Sequence, residues 1–337
     1  MQDIDQQPVA EQNSMKEQIP VIDVADVFHD SSSNAAMAAI DQIAQACKTW
    51  GFFQIVNHGI TNTQIEEVWH QTHALFALPI EEKLELERSK QNPWGFNNRE
   101  LTKNQRDKKE VFDFTREDFD PIYSQSNRWP QRHPRFKVTM LAYQHACTTL
   151  ALKLLEAFCI GLDLPADFMH PYFQGNHTGF VRLNYYPVKD PMTGLAVDDQ
   201  ETADLGIHHH TDAGGLTILL QDQVSGLQVY RNGFWHDIPT VDGAITINTG
   251  DMMQVWSNDI YQAPIHRVLA MKSCERYSIP FFLNPAAECR VSPLPSIIDG
   301  ENPRHYKPIV WSEFRGRRSD GDFGDYGTEV QISQYRT

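Results

Sequence analysis

Cysteine, basic charge and long apolar runs are all scarce in this sequence, and each scarcity excludes something. Five cysteines (Cys47, Cys147, Cys159, Cys274, Cys289) are scattered through 337 residues without CxxC spacing. An odd, scattered set makes a poor disulfide framework and fits reduced intracellular thiols. No apolar run approaches the length of a bilayer span, so no membrane segment is expected. Residues 1–18, MQDIDQQPVAEQNSMKEQ, have neither a basic start nor an apolar stretch, and read as a flexible polar tail rather than a signal peptide. A cytoplasmic protein is the expectation. Lys and Arg number 29 against 44 Asp and Glu, a formal net charge of −15 with no dense basic run. Nucleic acid is thereby a poor partner, because phosphate binding rests on clustered cations. No HExxH pair of a zinc hydrolase occurs, and nothing calls for an obligate protein partner. Internal repeats and low-complexity linkers are absent as well.

What is present is an ordinary globular composition, 41% hydrophobic and 22% charged, in a chain long enough to bury a substantial core. The first half mixes helix and strand. IPVIDV (Ile19 to Val24) and GFFQIVNHGI (Gly51 to Ile60) read as strands. Between them Met37, Ile40, Ile43, Ala44 and Cys47 share a helical stripe behind a Ser/Asn start. Thr63 and Glu66 have capping-box spacing for a second helix, stopped by Pro79. A long helix is predicted from about Phe136 to Ile160, with Val138, Leu141, Leu152, Leu155 and Cys159 facing the core and His145 a core residue on the same stripe. From about Gly179 short strands follow one another between turns, MMQVWSN among them, and Asn232-Gly233 is a strong hairpin signal. About eight such strands fit a double-sheet jelly roll. The expected fold is mainly β with bracing helices, forming one unit. It comprises the tail at 1–18, a mixed α/β region with the long helix at 19–178, the jelly-roll core at 179–290 and a C-terminal extension packed on it at 291–337.

The run His208-His209-His210 raises the question of chemistry. Side chains alternate along an extended segment, so His208, His210 and Asp212 share one face and His209 takes the other. Standing alone, the run would be explained as well by a polar strand end. However, His266 lies in a strand-like segment 54 residues beyond Asp212, and Arg276-x-Ser278 begins ten residues later. Two histidines and one carboxylate with open positions make the facial triad of non-haem Fe(II) oxygenases, whereas structural zinc takes a fourth ligand. An arginine inside a β core is costly unpaired. Its planar fork fits a carboxylate, to which Ser278 adds a hydroxyl donor. A surface ion pair is the ordinary alternative for Arg276. Upstream, Arg182, Asn184 and Tyr186 share one strand face, which gives the Tyr186 phenol either to the same cavity or to simple packing.

Taken in order, these segments resemble the isopenicillin N synthase-like family of 2-oxoglutarate/Fe(II)-dependent dioxygenases over nearly the whole chain. The motifs are IPVIDV, WGFFQIVNHGI, NRWP with PRFK, RLNYYP, HTDAGGLTILLQD, GLQVY, NTGDMMQVWSND, HRV and RYSIPFFLNP. The resemblance implies a double-stranded β-helix core. It also implies an oxidoreductase that couples decarboxylation of 2-oxoglutarate, to succinate and CO₂, with oxidation of an unactivated C–H in a small molecule, most simply hydroxylation. Fe(II), 2-oxoglutarate and O₂ would be required, with ascorbate a candidate reductant. By the same resemblance His210, Asp212 and His266 would hold the iron and form the catalytic centre. Arg276, Ser278 and Tyr186 would hold the cosubstrate, and Asn184 and Phe282 would lie toward the substrate, with Trp94 to Phe96 a further stretch of wall. His208 would line the approach to the metal.

Two departures from the family pattern stand out. Pro187 to His210 is longer than in many relatives and acidic (Asp190, Asp198, Asp199, Glu201, Asp204), which reads as a solvated loop near the site mouth or as a hint of a cationic or neutral substrate. Ala263-Pro264-Ile265 precedes His266 where relatives often have Ser-Val. Relatives of the isopenicillin N synthase type keep the iron site but use Arg-x-Ser for the substrate's own carboxylate, and a C-terminal Gln can occupy the metal. Gln331 and Gln334 keep that 2-oxoglutarate-independent oxidase or cyclase reading open. A non-catalytic β-barrel binding protein is the remaining alternative. No motif encodes the substrate or the oligomeric state.

Overall fold

The computed structural model describes residues 4–10, 18–29, 33–116, 122, 125–173, 175–191, 205–321 and 329–337. In chain order the first elements are β1 (Val21–Asp23), α1 (Ala25–His29), α2 (Asn34–Thr49), β2 (Phe52–Val56), α3 (Asn62–Phe76) and α4 (Ile80–Leu84). Then come β3 (Gly95–Asn97), β4 (Leu101–Thr102), β5 (Gln105–Arg106), β6 (Glu110–Thr115), α5 (Pro134–Ile160) and α6 (His170–Phe173). The second half holds β7 (Phe180–Tyr186), β8 (Leu205–His210), β9 (Leu216–Gln221), β10 (Leu227–Arg231), β11 (Phe234–Asp237) and β12 (Ile245–Thr249). It closes with α7 (Asp251–Trp256), β13 (His266–Leu269), β14 (Arg276–Leu283) and α8 (Trp311–Gly321). An eight-stranded sheet in the order β1-β2-β12-β9-β14-β7-β6-β3 and a four-stranded sheet, β11-β10-β13-β8, form the jelly roll.

Alternation along the strands decides what each sheet face does. On β7, Val181 and Leu183 point into the larger core, which the helices cover. The intervening Arg182, Asn184 and Tyr186 line the cavity between the sheets. A smaller core, including Phe52, Tyr186, Leu219, Leu227, Val229 and Val268, closes one end of that cavity. Helix α5 braces the large sheet, packing against α2, α3, β9 and β14. Leu150, Leu154, Leu155 and Phe158 are buried there, each stabilising the fold by about 1.5–3 kcal/mol. Asn232 and Gly233 both take positive φ in the tight turn between β10 and β11, as an Asn-Gly hairpin requires.

Four expectations are corrected. Residues 4–10 are not a loose tail: Ile4–Gln6 form a 3₁₀ turn, Val9 bridges to Trp235, and the Trp235 indole donates to the Ile4 carbonyl at 2.9 Å. MMQVWSN is mostly helix, because Gly250 starts α7 and Met252, Met253, Val255 and Trp256 are buried all round it. A short, wholly apolar run has no period that separates helix from strand. The capping box of α3 is Thr61 with Gln64, not Thr63 with Glu66; both pairs have the spacing, but Thr61 has the extended backbone of a cap, at φ −74° and ψ 153°. On α5 the buried stripe runs through Phe136, Met140, Tyr143, Cys147, Leu150, Leu154 and Phe158. Val138 is 69% exposed and His145 is exposed too, because a helix this rich in apolar residues offers more than one plausible phase. Most of the acidic stretch, 192–204, lies outside the described residues; Asp190 pairs with Arg106.

Candidate metal and anion site

Strand register assembles the site. His210 at the end of β8 is the pairing partner of His266 at the start of β13, which sets the two rings 4.3 Å apart. Asp212 follows β8 by two residues. The turn after it packs so closely on the start of α7 that a Cβ on Gly250 would clash with the Gly214 carbonyl oxygen. Backbone bonds close this contact, with the Asp251 amide donating to the Asp212 carbonyl at 2.7 Å. Asp212 Oδ1 thereby lies 3.7 Å from His210 Nε2 and 3.5 Å from His266 Nε2. All three candidate ligand atoms fall within 4.8 Å of one another, and the three residues form the one such group among those described.

The surroundings of each side chain leave the atoms at the centre free. His210 Nδ1 donates to the His208 carbonyl at 2.8 Å and His266 Nδ1 to the Pro264 carbonyl at 3.0 Å, so each Nε2 keeps its lone pair for the centre. Burial, reinforced by the neighbouring His266, pushes the His210 imidazole down to about 3, so it is neutral at neutral pH. Burial alone would raise the Asp212 carboxyl. The two histidines and hydrogen bonds from Asn248 and Thr217 instead hold it below the usual carboxylate range. Both of those bonds go to Oδ2, from Asn248 at 2.8 Å and from Thr217 at 2.5 Å, leaving Oδ1 for the centre. Two imidazoles whose Nε2 atoms face the centre and one oriented carboxylate suit a divalent transition metal with positions left open, as Fe(II) in a facial triad requires.

A second set of donors faces the same cavity. Across the β14–β7 pair Arg276 stands opposite Tyr186 and Ser278 opposite Asn184. Arg276 is 1% exposed, and its guanidinium lies 5.0 Å over the Tyr186 ring. Its Nη2 donates to Gln221 at 2.8 Å and its Nε to the Val224 carbonyl at 3.2 Å, while Nη1 has no partner among the described residues. A buried cationic donor pointing nowhere is expensive unless an anion meets it. Ser278 Oγ accepts from Asn184 at 3.3 Å and keeps its own proton to donate. The residues thus fit an oxo-acid cosubstrate with one carboxylate at the metal and one at Arg276.

The same two strands add Phe180, Arg182, Pro280 and Phe282 to the wall, and α8 adds Trp311, Arg315 and Arg318. Phe180 and Phe282 stack at 4.7 Å. Trp94 touches Phe180 from outside the cavity, at 5.7 Å between rings, and Phe96 is core, so the Trp94 to Phe96 stretch supports the wall rather than forming it. His208 is also not where the sequence reading set it. It is buried, with Nδ1 2.9 Å from Asp107, and its backbone carbonyl rather than its ring serves the centre. His209 faces outward and binds Asp5 at 2.6 Å. Gln331 donates to Glu329 and Gln334 is exposed; neither lines the cavity.

Sequence reasoning missed Thr217 and Asn248, although both lie in motifs that carry the resemblance. It also missed a buried ion network beside the cavity. Glu100 meets Arg88 at 2.6 Å, Arg182 at 2.7 Å and Lys109 at 2.5 Å, while Asp113 takes Arg88 and Arg182. Lys109 also reaches Asp107 at 3.1 Å. No periodicity marks these positions. Charged residues at 88, 100, 107, 109, 113 and 182 read as surface until the β6–β7 pairing brings them together.

A jelly roll holding two histidines, one carboxylate and an unmatched arginine in one cavity defines a non-haem iron oxygenase class. Family models support it: the 2OG-Fe(II) oxygenase superfamily model matches residues 177–285, and the model of the non-haem dioxygenase in morphine synthesis N-terminal region matches 19–134. Jasmonate-induced oxygenase 4 of Arabidopsis thaliana is 33% identical over 302 residues, covering 88% of this chain and 81% of that protein. Among solved structures, JOX2 in complex with 2OG, Fe and JA superposes with a TM-score of 0.80 at 27% identity, covering 98% of this chain and 90% of that one. A full-length Neurospora crassa protein in complex with alpha-KG and thymine gives 0.79 at 25% identity, covering 90% and 97%. The chain belongs to the 2OG-Fe(II) oxygenase superfamily. It is a dioxygenase that uses Fe(II) and 2-oxoglutarate to oxidise a small molecule.

Proposed function

We propose that His210, Asp212 and His266 hold the Fe(II), that Arg276 and Ser278 hold the distal carboxylate of 2-oxoglutarate, and that Tyr186 packs beside it. The observation that carries this reading is Arg276 Nη1, which has no partner among the described residues and is buried in the same cavity as the three converging ligand atoms. When bound, the iron supplies the activation of O₂ that is coupled to conversion of 2-oxoglutarate to succinate and CO₂. The chain's own residues do the positioning. His208 and Pro264 carbonyls fix the ring tautomers, Thr217 and Asn248 aim the carboxylate, and Gln221 with Val224 aim the guanidinium. Phe52, Leu219, Leu227 and Val268 keep that end of the cavity apolar, which strengthens the Arg276–carboxylate pair. Asn184 and Phe282 face the substrate side in this reading, and hydroxylation of an unactivated C–H is the outcome.

Five free cysteines fit a reducing compartment and support the reading of a cytoplasmic enzyme. No described helix is long and apolar enough to cross a membrane. The test is succinate release by the Fe(II)-loaded protein against a metabolite panel, together with Arg276→Ala. Turnover with stoichiometric succinate is expected. The variant should raise the 2-oxoglutarate requirement by more than about tenfold while leaving Fe(II) affinity within about twofold, the loss of one charge-assisted pair. Substrate oxidation without succinate would overturn the cosubstrate assignment, and equal loss of iron and 2-oxoglutarate binding would make Arg276 a scaffold residue.

A further inference from the structure

Five cations line the cavity: Lys109, Arg182, Arg276, Arg315 and Arg318. Four of them are accounted for. Lys109 pairs with Glu100 and Asp107, and Arg182 with Asp113 and Glu100. Arg318 lies 3.3 Å from Glu329 and 3.7 Å from Asp251, and donates to the Thr211 carbonyl at 2.7 Å. Arg276 is committed to the cosubstrate in the reading above.

Arg315 has no ion pair or hydrogen bond among the described residues. Its guanidinium lies 5.3 Å over the Phe180 ring. The residue is half-buried, on the cavity-facing stripe of α8 together with Trp311 and Arg318. Helical spacing of four and then three residues puts all three on one face.

We propose that Arg315 binds a carboxylate on the primary substrate, whose apolar body lies against Phe180 and Phe282. This deepens the preceding reading and rests on it for the assignment of Arg276 to 2-oxoglutarate. A guanidinium held over an aromatic face keeps its N–H edge directed outward for an anion. The stacked Phe180–Phe282 pair beside it offers apolar surface and no polar side-chain atom. One cation without a partner among the described residues matches one negative charge, so a monoanionic carboxylate is favoured over a phosphate. The molecule as a whole is strongly acidic, at −15, which makes an unmatched cation in its cavity a specific feature rather than a share of general basicity.

The experiment is calorimetric titration of the protein loaded with Fe(II) and saturating 2-oxoglutarate under anaerobic conditions, so that Arg276 is occupied. The probes are matched acid and amide pairs, from benzoate and benzamide through 4-phenylbutanoate to octanoate. For the best-binding pair the acid should bind at least about tenfold more tightly than the amide, the value of one charge-assisted contact. That ratio should fall to about one in Arg315→Leu and be partly kept in Arg315→Lys. A panel in which no acid outbinds its amide in the wild-type protein overturns the proposal, as does a preference that survives Arg315→Leu. The 2-oxoglutarate affinity of the same samples reports on Arg276. If that reading fails, the acid-to-amide ratio measured without 2-oxoglutarate still tests Arg315.

Discussion

Two clusters of buried charge border one cavity, and they are satisfied in opposite ways. In the network around the Asp113–Arg182 pair of β6 and β7, three cations (Arg88, Lys109, Arg182) face three carboxylates (Glu100, Asp107, Asp113), and both oxygens of Glu100 and of Asp113 are taken. At the histidines the hydrogen bonds stop one atom short, and His210 Nε2, His266 Nε2 and Asp212 Oδ1 converge with nothing but each other. Arg276 repeats that pattern with an Nη1 that has no partner among the described residues. A charge cluster that closes on itself is structural, and one left incomplete at a shared point awaits a ligand. The distinction lies in hydrogen-bond completeness and not in burial, because each cluster is buried except for one partly exposed member, Arg182 in one and His210 in the other.

Asp212→Asn breaks the comparison hardest. The amide keeps the size of the side chain but removes the anionic ligand, so anaerobic titration should show Fe(II) affinity down by more than about a hundredfold, beyond the effect of losing a supporting hydrogen bond. Succinate release should vanish with it. The unliganded protein should lose no more than about 1 kcal/mol, since no partner cation is stranded. A denaturation midpoint that collapses instead would mean that the ligand cluster is structural too.

Glu100→Gln applies the same change to the closed network, with the effect moved from ligand to fold. It leaves Arg88, Arg182 and Lys109 sharing too little negative charge, and removing one partner from a buried ionic cluster costs about 3–5 kcal/mol. Urea denaturation should show that loss at pH 7. Burial alone would raise the Glu100 carboxyl, but Arg182, Lys109 and Arg88 hold it well below the ordinary carboxylate range. Its contribution is therefore complete above the unfolded-state value of about 4.3 and fades as pH falls toward the depressed folded value. The gap between wild type and variant should narrow as the medium is acidified below about pH 4. A gap that is constant with pH would show that the charge of Glu100 is not what stabilises the fold.

The contrast also explains what was legible. The proposed ligands His210, Asp212 and His266 and the pair Arg276 and Ser278 stood out because unusual residue types sat on one face of short strands, at spacings that strand alternation makes meaningful. The jelly roll was legible from the run of turns and short strands. The network was not, because its members come from four separate stretches and acquire meaning only through the β6–β7 register. Thr217 and Asn248 were hidden for another reason: a Thr and an Asn in a strand have many ordinary roles, and only the position of Asp212 Oδ2 selects theirs. The phase of α5 and the helicity of α7 were ambiguous because apolar residues there outnumber the positions a single face needs. The N-terminal segment looked loose because its anchors, Asp5 on His209 and Ile4 on Trp235, span more than two hundred residues.

The smallest effects sharpen the comparison within the histidine run itself. Asn248→Ala removes a supporting bond from Asp212 Oδ2 without touching a ligand atom, so Fe(II) affinity should fall about 10–100-fold while the fold persists. His209→Ala sits next to a ligand in sequence yet faces the other side of β8, where it holds Asp5 at 2.6 Å. Its effect on Fe(II) affinity should stay within about twofold, and faster amide exchange of residues 4–10 should report the lost anchor instead. If His209→Ala weakened iron as much as Asn248→Ala, adjacency in sequence would matter more than hydrogen-bond completeness, and the division between closed and open clusters would fail. The expected order, with Asp212 above Asn248 and Asn248 above His209, follows the number of bonds separating each side chain from the point where the three ligand atoms converge.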